Sequence, residues 1–266
     1  MNKHAVPNAI RPLFGTIKNG GSNPRFYEFD DGIPRIVKWH PSCHGLKVCF
    51  NELVASRLGQ LIDAPMLRGD VIYISSDILA PDHLAFGREG FHYAAFRMHG
   101  GNFVPDIHYP TIHNTSDLPA AAVLLAWLQV ADQESHNQYR QETEETDATG
   151  AKNTRYLFRL ADMGFIFGVG INGNWTSTTL GKKDSYVLPQ HLAEKVKADE
   201  LEPIIQEVLD LPEQDIRSCF DDTPSEWAVS AEDVAAATQW VLDARSKIKM
   251  VISKGNSKLQ FKSPKE

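Results

Sequence analysis

Two hydrophobic periods divide the chain. Over residues 45–61 apolar side chains recur at three- and four-residue steps, and Leu46, Cys49, Phe50, Leu53, Val54, Leu58 and Leu61 form one stripe of a helix. Glu52 lies beside that stripe rather than opposite it. Ahead of the helix the pattern changes to strands. Residues 25–29 and 36–39 are β-branched and aromatic, and Asp30, Asp31 and Gly32 between them signal a turn, which reads as a β-hairpin. Residues 69–74 and 91–96 are further strand candidates. Residues 1–14 read as irregular, since Pro7 and Pro12 would break any helix. The stretch 98–102, with Gly100 and Gly101, interrupts the pattern and reads as a hinge between lobes or simply a loop.

Beyond residue 110 the pattern becomes helical. Residues 120–130 are the most apolar run, with Leu124, Leu125, Trp127, Leu128 and Val130, and Thr115, Ser116 and Asp117 can cap the start. That run belongs in a core, and it stops abruptly at polar residues from Asp132. Residues 138–153, rich in Glu, Thr and Gly, predict a solvated, mobile insertion. Residues 155–160 alternate as a strand and lead into Asp162, Met163 and Gly164. A flexible segment is expected over 168–183. Helices follow at about 189–197, 202–209, 213–220 and 231–252. The fold class expected is α+β, with a β-rich lobe over 1–101 and a mainly helical lobe over 102–266.

Composition narrows the setting. The chain has 266 residues, 42% hydrophobic and 23% charged, enough for a core without disulfides or structural metal. Cys43, Cys49 and Cys219 form no C-x-x-C pair and leave one over, which fits a reducing compartment. No signal-peptide core and no membrane-length apolar run is present, so a cytoplasmic protein without a membrane partner is expected. A net charge of −7 argues against direct nucleic-acid binding. The stretch from Arg245 onward is basic and reads as a solvated helix end with a tail.

The candidate chemistry begins at Asp132 and Asn137, five residues apart, followed by Asp162 and Gly164 beyond a strand. With 19 Asp and 12 Asn in the chain, chance alone supplies about one such Asp–Asn spacing, so context has to decide. Phosphoryl transfer needs such groups: Mg²⁺ takes a few hard oxygen ligands, which Asp162 and the Asn137 amide can supply, and Asp132 can accept the proton of an acceptor hydroxyl. Singly, these residues are as well explained as a helix-end cap, a strand end and a turn. Upstream, Gly20, Gly21, Ser22 and Asn23 can cradle phosphate oxygens or form an ordinary surface turn. Lys38, ending an apolar strand, can meet nucleotide phosphates or snorkel into water as an edge lysine. Glu52 can pair with Lys38 across the lobe or stay solvated beside Ser56 and Arg57. The ordered set Lys38, Glu52, Asp132, Asn137, Asp162 favours the phosphoryl-transfer reading. His40, Cys43 and His44 lack a second ligand cluster at zinc-finger spacing, so no zinc site is expected there.

Taken together, these stretches resemble the HipA family of bacterial protein-kinase-like proteins over about residues 20–252. The likeness is carried by Gly20, Gly21, Ser22, Asn23, Pro24, Arg25 and Phe26, by Asp31 and Gly32, by Ile36, Val37 and Lys38, and by Asn51 and Glu52 with 55–59. Trp127, Ala131, Asp132, Asn137, Asp162, Met163, Gly164, Pro224, Trp227, Ala244 and Arg245 fit the same layout. The resemblance implies a bilobal protein-kinase-like fold and an ATP- and Mg²⁺-dependent kinase acting on Ser or Thr of a protein. In that family's terms Asp132 is catalytic, Asn137 and Asp162 bind Mg²⁺, Lys38 contacts nucleotide phosphates, and residues 20–23 cover them. Some members belong to toxin–antitoxin pairs, which would add an antitoxin-like partner. The chain departs from ordinary protein kinases in lacking G-x-G-x-x-G, H-R-D and A-P-E motifs, and Gln133 stands where the family often has Arg. A nucleotide-binding pseudokinase or partner-binding module, and a small-molecule kinase, are the alternatives.

Overall fold

The computed structural model describes residues 1–2, 5–16, 23–85, 87–97, 101–103, 112–133, 138–146, 149–183, 186 and 189–255. Strands β1 (Ala9–Thr16), β2 (Arg25–Phe29) and β3 (Arg35–Lys38) precede helix α1 (Val48–Leu61), and β4 (Gly69–Ile74) and β5 (Gly90–Phe96) follow it. They form one antiparallel sheet in the order β1-β2-β3-β5-β4. The hairpin expected between 25–29 and 36–39 is β2–β3. Within the first fourteen residues, expected to be irregular, 9–14 instead form most of β1. Pro12 is tolerated because β1 is a sheet edge, where one missing N–H breaks no inner ladder.

The two faces of this sheet bury different sets. Ile36 joins the core with α1, whereas Val37 and Trp39 join Tyr27, Phe29, Ile72 and Ile74 on the opposite face. Behind that second face sits a histidine pair. The His92 Nδ1 accepts the His40 N–H at 2.8 Å, so its proton is on Nε2, which donates to the Arg88 carbonyl at 2.9 Å. Burial pushes the His92 pKa down to about 4, against the pull of the Arg88 hydrogen bond. Its folded value is therefore below the unfolded one, so the unfolded chain binds the proton first as pH falls. Stability should be complete above about pH 6.5 and decline by about 3 kcal/mol toward pH 4 from this group alone. Urea denaturation across that window would show it as a slope that His92→Gln removes; parallel curves for the two proteins would refute it.

After β6 (Gly101–Phe103), the helix α2 (Leu118–Leu128) is buried on all sides, as an all-apolar helix must be. Its start is a 3-10 turn over Thr115–Asp117 without a side-chain cap, and its end is Gln129 in the left-handed region at φ 46°. The chain then reaches Asp132. Next come β7 (Gln138–Thr146) and β8 (Lys152–Leu160), paired along their whole length, with β6 on the outer side of β7. Residues 138–146 are thus a strand rather than a mobile insertion. Tyr139 is buried, Glu142 and Glu144 face solvent, and Lys152 pairs with Glu144 at 3.1 Å across the hairpin. Acid-rich composition had masked a one-sided strand.

The remainder is α3 (Gln190–Ala193), α4 (Ala198–Asp210), α5 (Glu213–Ser218), α6 (Ala231–Ala244) and α7 (Ile248–Gly255), with α3, α4, α6 and α7 packed on α2 and α5 on α6. The Trp127 indole donates to the Val241 carbonyl at 2.9 Å and fixes α2 against α6. The halves are stitched by long-range hydrogen bonds. Trp227 donates to the Phe91 carbonyl at 2.9 Å, Arg57 to the Asp221 carbonyl at 2.6 Å, and His40 Nε2 to the Glu226 carbonyl at 2.7 Å. No helix among the described residues is long and apolar enough to cross a membrane.

Candidate active site

Sheet alternation places Lys38 on the same face as Ile36, toward α1. Helix α1 is buried around most of its circumference, so its polar residues need partners. Each has one. Ser56 accepts the Gly69 N–H at 3.0 Å, Asn51 donates to the Gly164 carbonyl at 2.6 Å and accepts from the Trp175 indole at 3.0 Å, and Glu52 pairs with Lys38. The Lys38 ammonium also contacts Asp162 at 2.6 Å. The structure therefore joins three of the residues singled out from sequence, 14 and 124 positions from Lys38, in one ion triad.

The triad is graded in exposure. The Lys38 and Glu52 side chains are 9% and 4% exposed, and that of Asp162 is 37% exposed. Burial pushes the Glu52 carboxyl up to about 7, with Lys38 pulling it back. Burial also works to raise Asp162, but the adjacent ammonium outweighs it and holds this carboxyl below its usual range. For Lys38 burial works downward, and the Asp162 and then Glu52 carboxylates overcome it and keep the amine charged. The result is a fixed cation beside a carboxylate that stays ionised and partly exposed.

The turn at Asp162 is not supplied by its glycine. Asp162 itself is left-handed, at φ 57°, while Gly164 is absent from the residues with positive φ. Gly164 is needed for close approach: a Cβ there would lie 3.0 Å from Val48 Cγ1 and 3.4 Å from Glu52 Oε1. Asp132 is left-handed too, at φ 61°. Asp tolerates that region better than most side chains. The Ala131 N–H donates to the Phe165 carbonyl and the Phe167 N–H to the Leu128 carbonyl, both at 2.8 Å, so the backbones flanking the two aspartates are tied together.

Segment 168–183 is a packed run of turns rather than a free one. Trp175 is fully buried, Lys47 donates to its carbonyl at 2.7 Å, and the Lys47 ammonium stands 4.2 Å from its ring centroid while pairing with Asp233 at 2.8 Å. Gly45 admits Gly173 so closely that a Cβ would lie 2.3 Å from the Gly173 carbonyl carbon. Sequence reasoning placed Asn51 in the resemblance without giving it a role, and it missed Lys47. A polar Asn inside the apolar stripe was the available signal for the first; the second depends on contacts across more than a hundred residues.

Of the other expected positions, Gly20, Gly21, Ser22 and Asn137 lie outside the described residues. Asn23 is left-handed at φ 50°, and its carbonyl accepts the Trp39 indole N–H at 2.9 Å. It stands at the entry to β2. Among the described residues no cluster of three His, Cys, Asp or Glu could hold a metal. Asp162 offers a hard, ionised and partly exposed carboxylate, which suits an ion such as Mg²⁺ that takes one or two carboxylates and keeps its waters.

No protein-family model and no curated protein sequence matches the chain. Among solved structures, it is similar to the Helicobacter pylori proinflammatory kinase CtkA, with a TM-score of 0.54 and 10% identity over 94% of this chain and 96% of that one. At such identity the likeness is one of fold, and it is the bilobal α+β kinase architecture expected from sequence. Fainter likenesses, on which nothing rests, are to a Golgi casein kinase with Mn/ADP bound (TM-score 0.44, 10% identity, 97% of this chain and 76% of that one) and to HipA from Shewanella oneidensis MR-1 in a toxin–antitoxin complex with HipB and operator DNA (TM-score 0.40, 12% identity, 93% and 66%).

Proposed function

We propose that this chain, whose fold is that of a bilobal kinase, transfers the γ-phosphate of ATP to a hydroxyl, with Ser or Thr of a protein as the acceptor, as a HipA-like kinase. The observation that carries the reading is the buried Lys38 ammonium held between Glu52 and the partly exposed Asp162. A structural ion pair needs only one carboxylate; a lysine held by two, one of them partly exposed, is a cation positioned for anionic oxygens. Glu52 fixes its direction from below. In this reading Lys38 contacts nucleotide phosphates, and residues 20–23 cover them through backbone N–H groups.

Asp162 and Asn137 would hold Mg²⁺, which when bound offsets phosphate charge. Asp132 orients the acceptor hydroxyl and takes its proton at a carboxylate oxygen. The backbone ties between 128–131 and 165–167 keep that carboxylate in register with Asp162. The chain acts in the cytoplasm in this reading, and an antitoxin-like partner remains part of the family analogy alone.

Incubation of purified protein with γ-labelled ATP and Mg²⁺ should label the chain itself or a protein in a lysate, and Mg²⁺ with ADP should raise its melting temperature. Stabilisation without transfer would favour a nucleotide-binding module. Absence of the Mg²⁺- and ADP-dependent shift would overturn the kinase reading, and labelling confined to small alcohols would replace the protein acceptor.

A further inference from the structure

Gln133 follows Asp132, yet its side chain turns from solvent toward the segment that carries Asp162, leaving the residue only 8% exposed. Its Nε2 lies 3.2 Å from the Ala161 carbonyl, 3.2 Å from the Asp162 carbonyl and 3.7 Å from Met163 Sδ. Three acceptors around one atom settle the orientation of the amide, because the flipped group would set an oxygen against two carbonyl oxygens. The same orientation leaves Gln133 Oε1 buried with no hydrogen-bond partner among the described residues. An orphaned buried oxygen is unfavourable, and a leucine of similar size would avoid it. The donor end must therefore do something that outweighs the unsatisfied acceptor end.

What it holds is the backbone of a strained position. Asp162 is a non-glycine residue at φ 57°, and such a conformation persists only where surrounding contacts over-determine it. Hydrogen bonds to the carbonyls of residues 161 and 162 fix the peptide planes on both sides of the Asp162 Cα, and so the direction in which its carboxylate leaves the chain. We propose that Gln133 is the positioning residue for Asp162: its amide holds the left-handed turn that presents this carboxylate to Lys38 and to a divalent cation. The inference rests on the kinase reading above and deepens it. Gln133 acts through Asp162 and touches neither nucleotide nor acceptor.

The test is a Mg²⁺ titration of the melting temperature at fixed ADP, which needs no turnover. Gln133→Leu removes donor and orphaned oxygen together, so its metal-free stability should stay close to that of the parent, while the Mg²⁺ needed for half of the shift rises about 10- to 100-fold. Gln133→Glu, with an acceptor facing two carbonyls, should show the same or a larger rise and covers the case in which the leucine variant does not fold. Gln133→Arg restores donors at this position and should recover part of the loss. A purely structural role predicts the opposite pattern, lower metal-free stability with an unchanged Mg²⁺ midpoint, and that result would overturn the proposal. If the parent itself shows no Mg²⁺-dependent shift with ADP, the kinase reading fails and Gln133 with it; a normal parent beside unaltered variants sinks Gln133 alone.

Discussion

Lys38→Met is expected to destabilise the fold by about 3–5 kcal/mol and to remove phosphoryl transfer, because it leaves two carboxylates facing each other where a cation stood. The two carboxylates do not share the consequence equally. Asp162, at 37% side-chain exposure, can recruit water; Glu52, at 4%, cannot. Glu52 therefore takes up a proton, and its carboxyl, already pushed up to about 7 by burial, moves higher once the ammonium is gone. A folded value above the unfolded one gives stability that is present below about pH 4.5 and lost as pH rises through the folded value. The destabilisation should accordingly be greater at pH 8 than at pH 5.5. Glu52→Gln in the same chain removes the stranded charge and should return much of the lost stability without restoring transfer. Urea denaturation of the parent, both single variants and the double variant at the two pH values measures the coupling. A single variant within 1 kcal/mol of the parent, or a double variant no more stable than Lys38→Met, would show that the triad is not the closed electrostatic unit its geometry describes.

The same triad shows what could be read without coordinates. Lys38 and Glu52 were legible because each sits on a regular element with a clear period: the alternation of β3 fixes which way Lys38 points, and Glu52 lies beside the apolar stripe of α1. Strand β1 was not legible. Pro12 contradicts a strand unless the strand is an edge, and edge status belongs to the whole sheet rather than to residues 9–16. Strand β7 was hidden by Glu142 and Glu144, which occupy the solvent side of a hairpin whose other side carries Tyr139. The long-range ties, Trp227 to Phe91 and Arg57 to Asp221, leave no local trace, because either indole or guanidinium would look the same in a solvated turn. Gln133 was visible only as a departure from the family's frequent Arg. Its burial and its paired carbonyls are tertiary facts, and they turn a substitution into an argument about the neighbouring aspartate.

Asp132→Asn is the substitution that isolates chemistry from structure. Residue 132 is left-handed at φ 61°, a conformation that asparagine adopts at least as readily as aspartate, so the backbone has no reason to move. Side-chain size is also kept. What disappears is the ability to accept a proton, and a positioned general base is worth about 10²- to 10⁴-fold in rate. Transfer of label should fall by that factor, while stabilisation by Mg²⁺ and ADP stays at the parent's level because Lys38 and Asp162 are untouched. Asp132→Ala should lose transfer similarly and in addition cost about 1–2 kcal/mol of stability, since a β-carbon without a compensating polar group is strained in the left-handed region. The pair of variants thus separates two contributions of one residue: the difference between them reports the backbone, and what they share reports the proton. If Asp132→Asn transfers phosphate as fast as the parent, the base is another group, and the left-handed turn at 132 serves the loop alone.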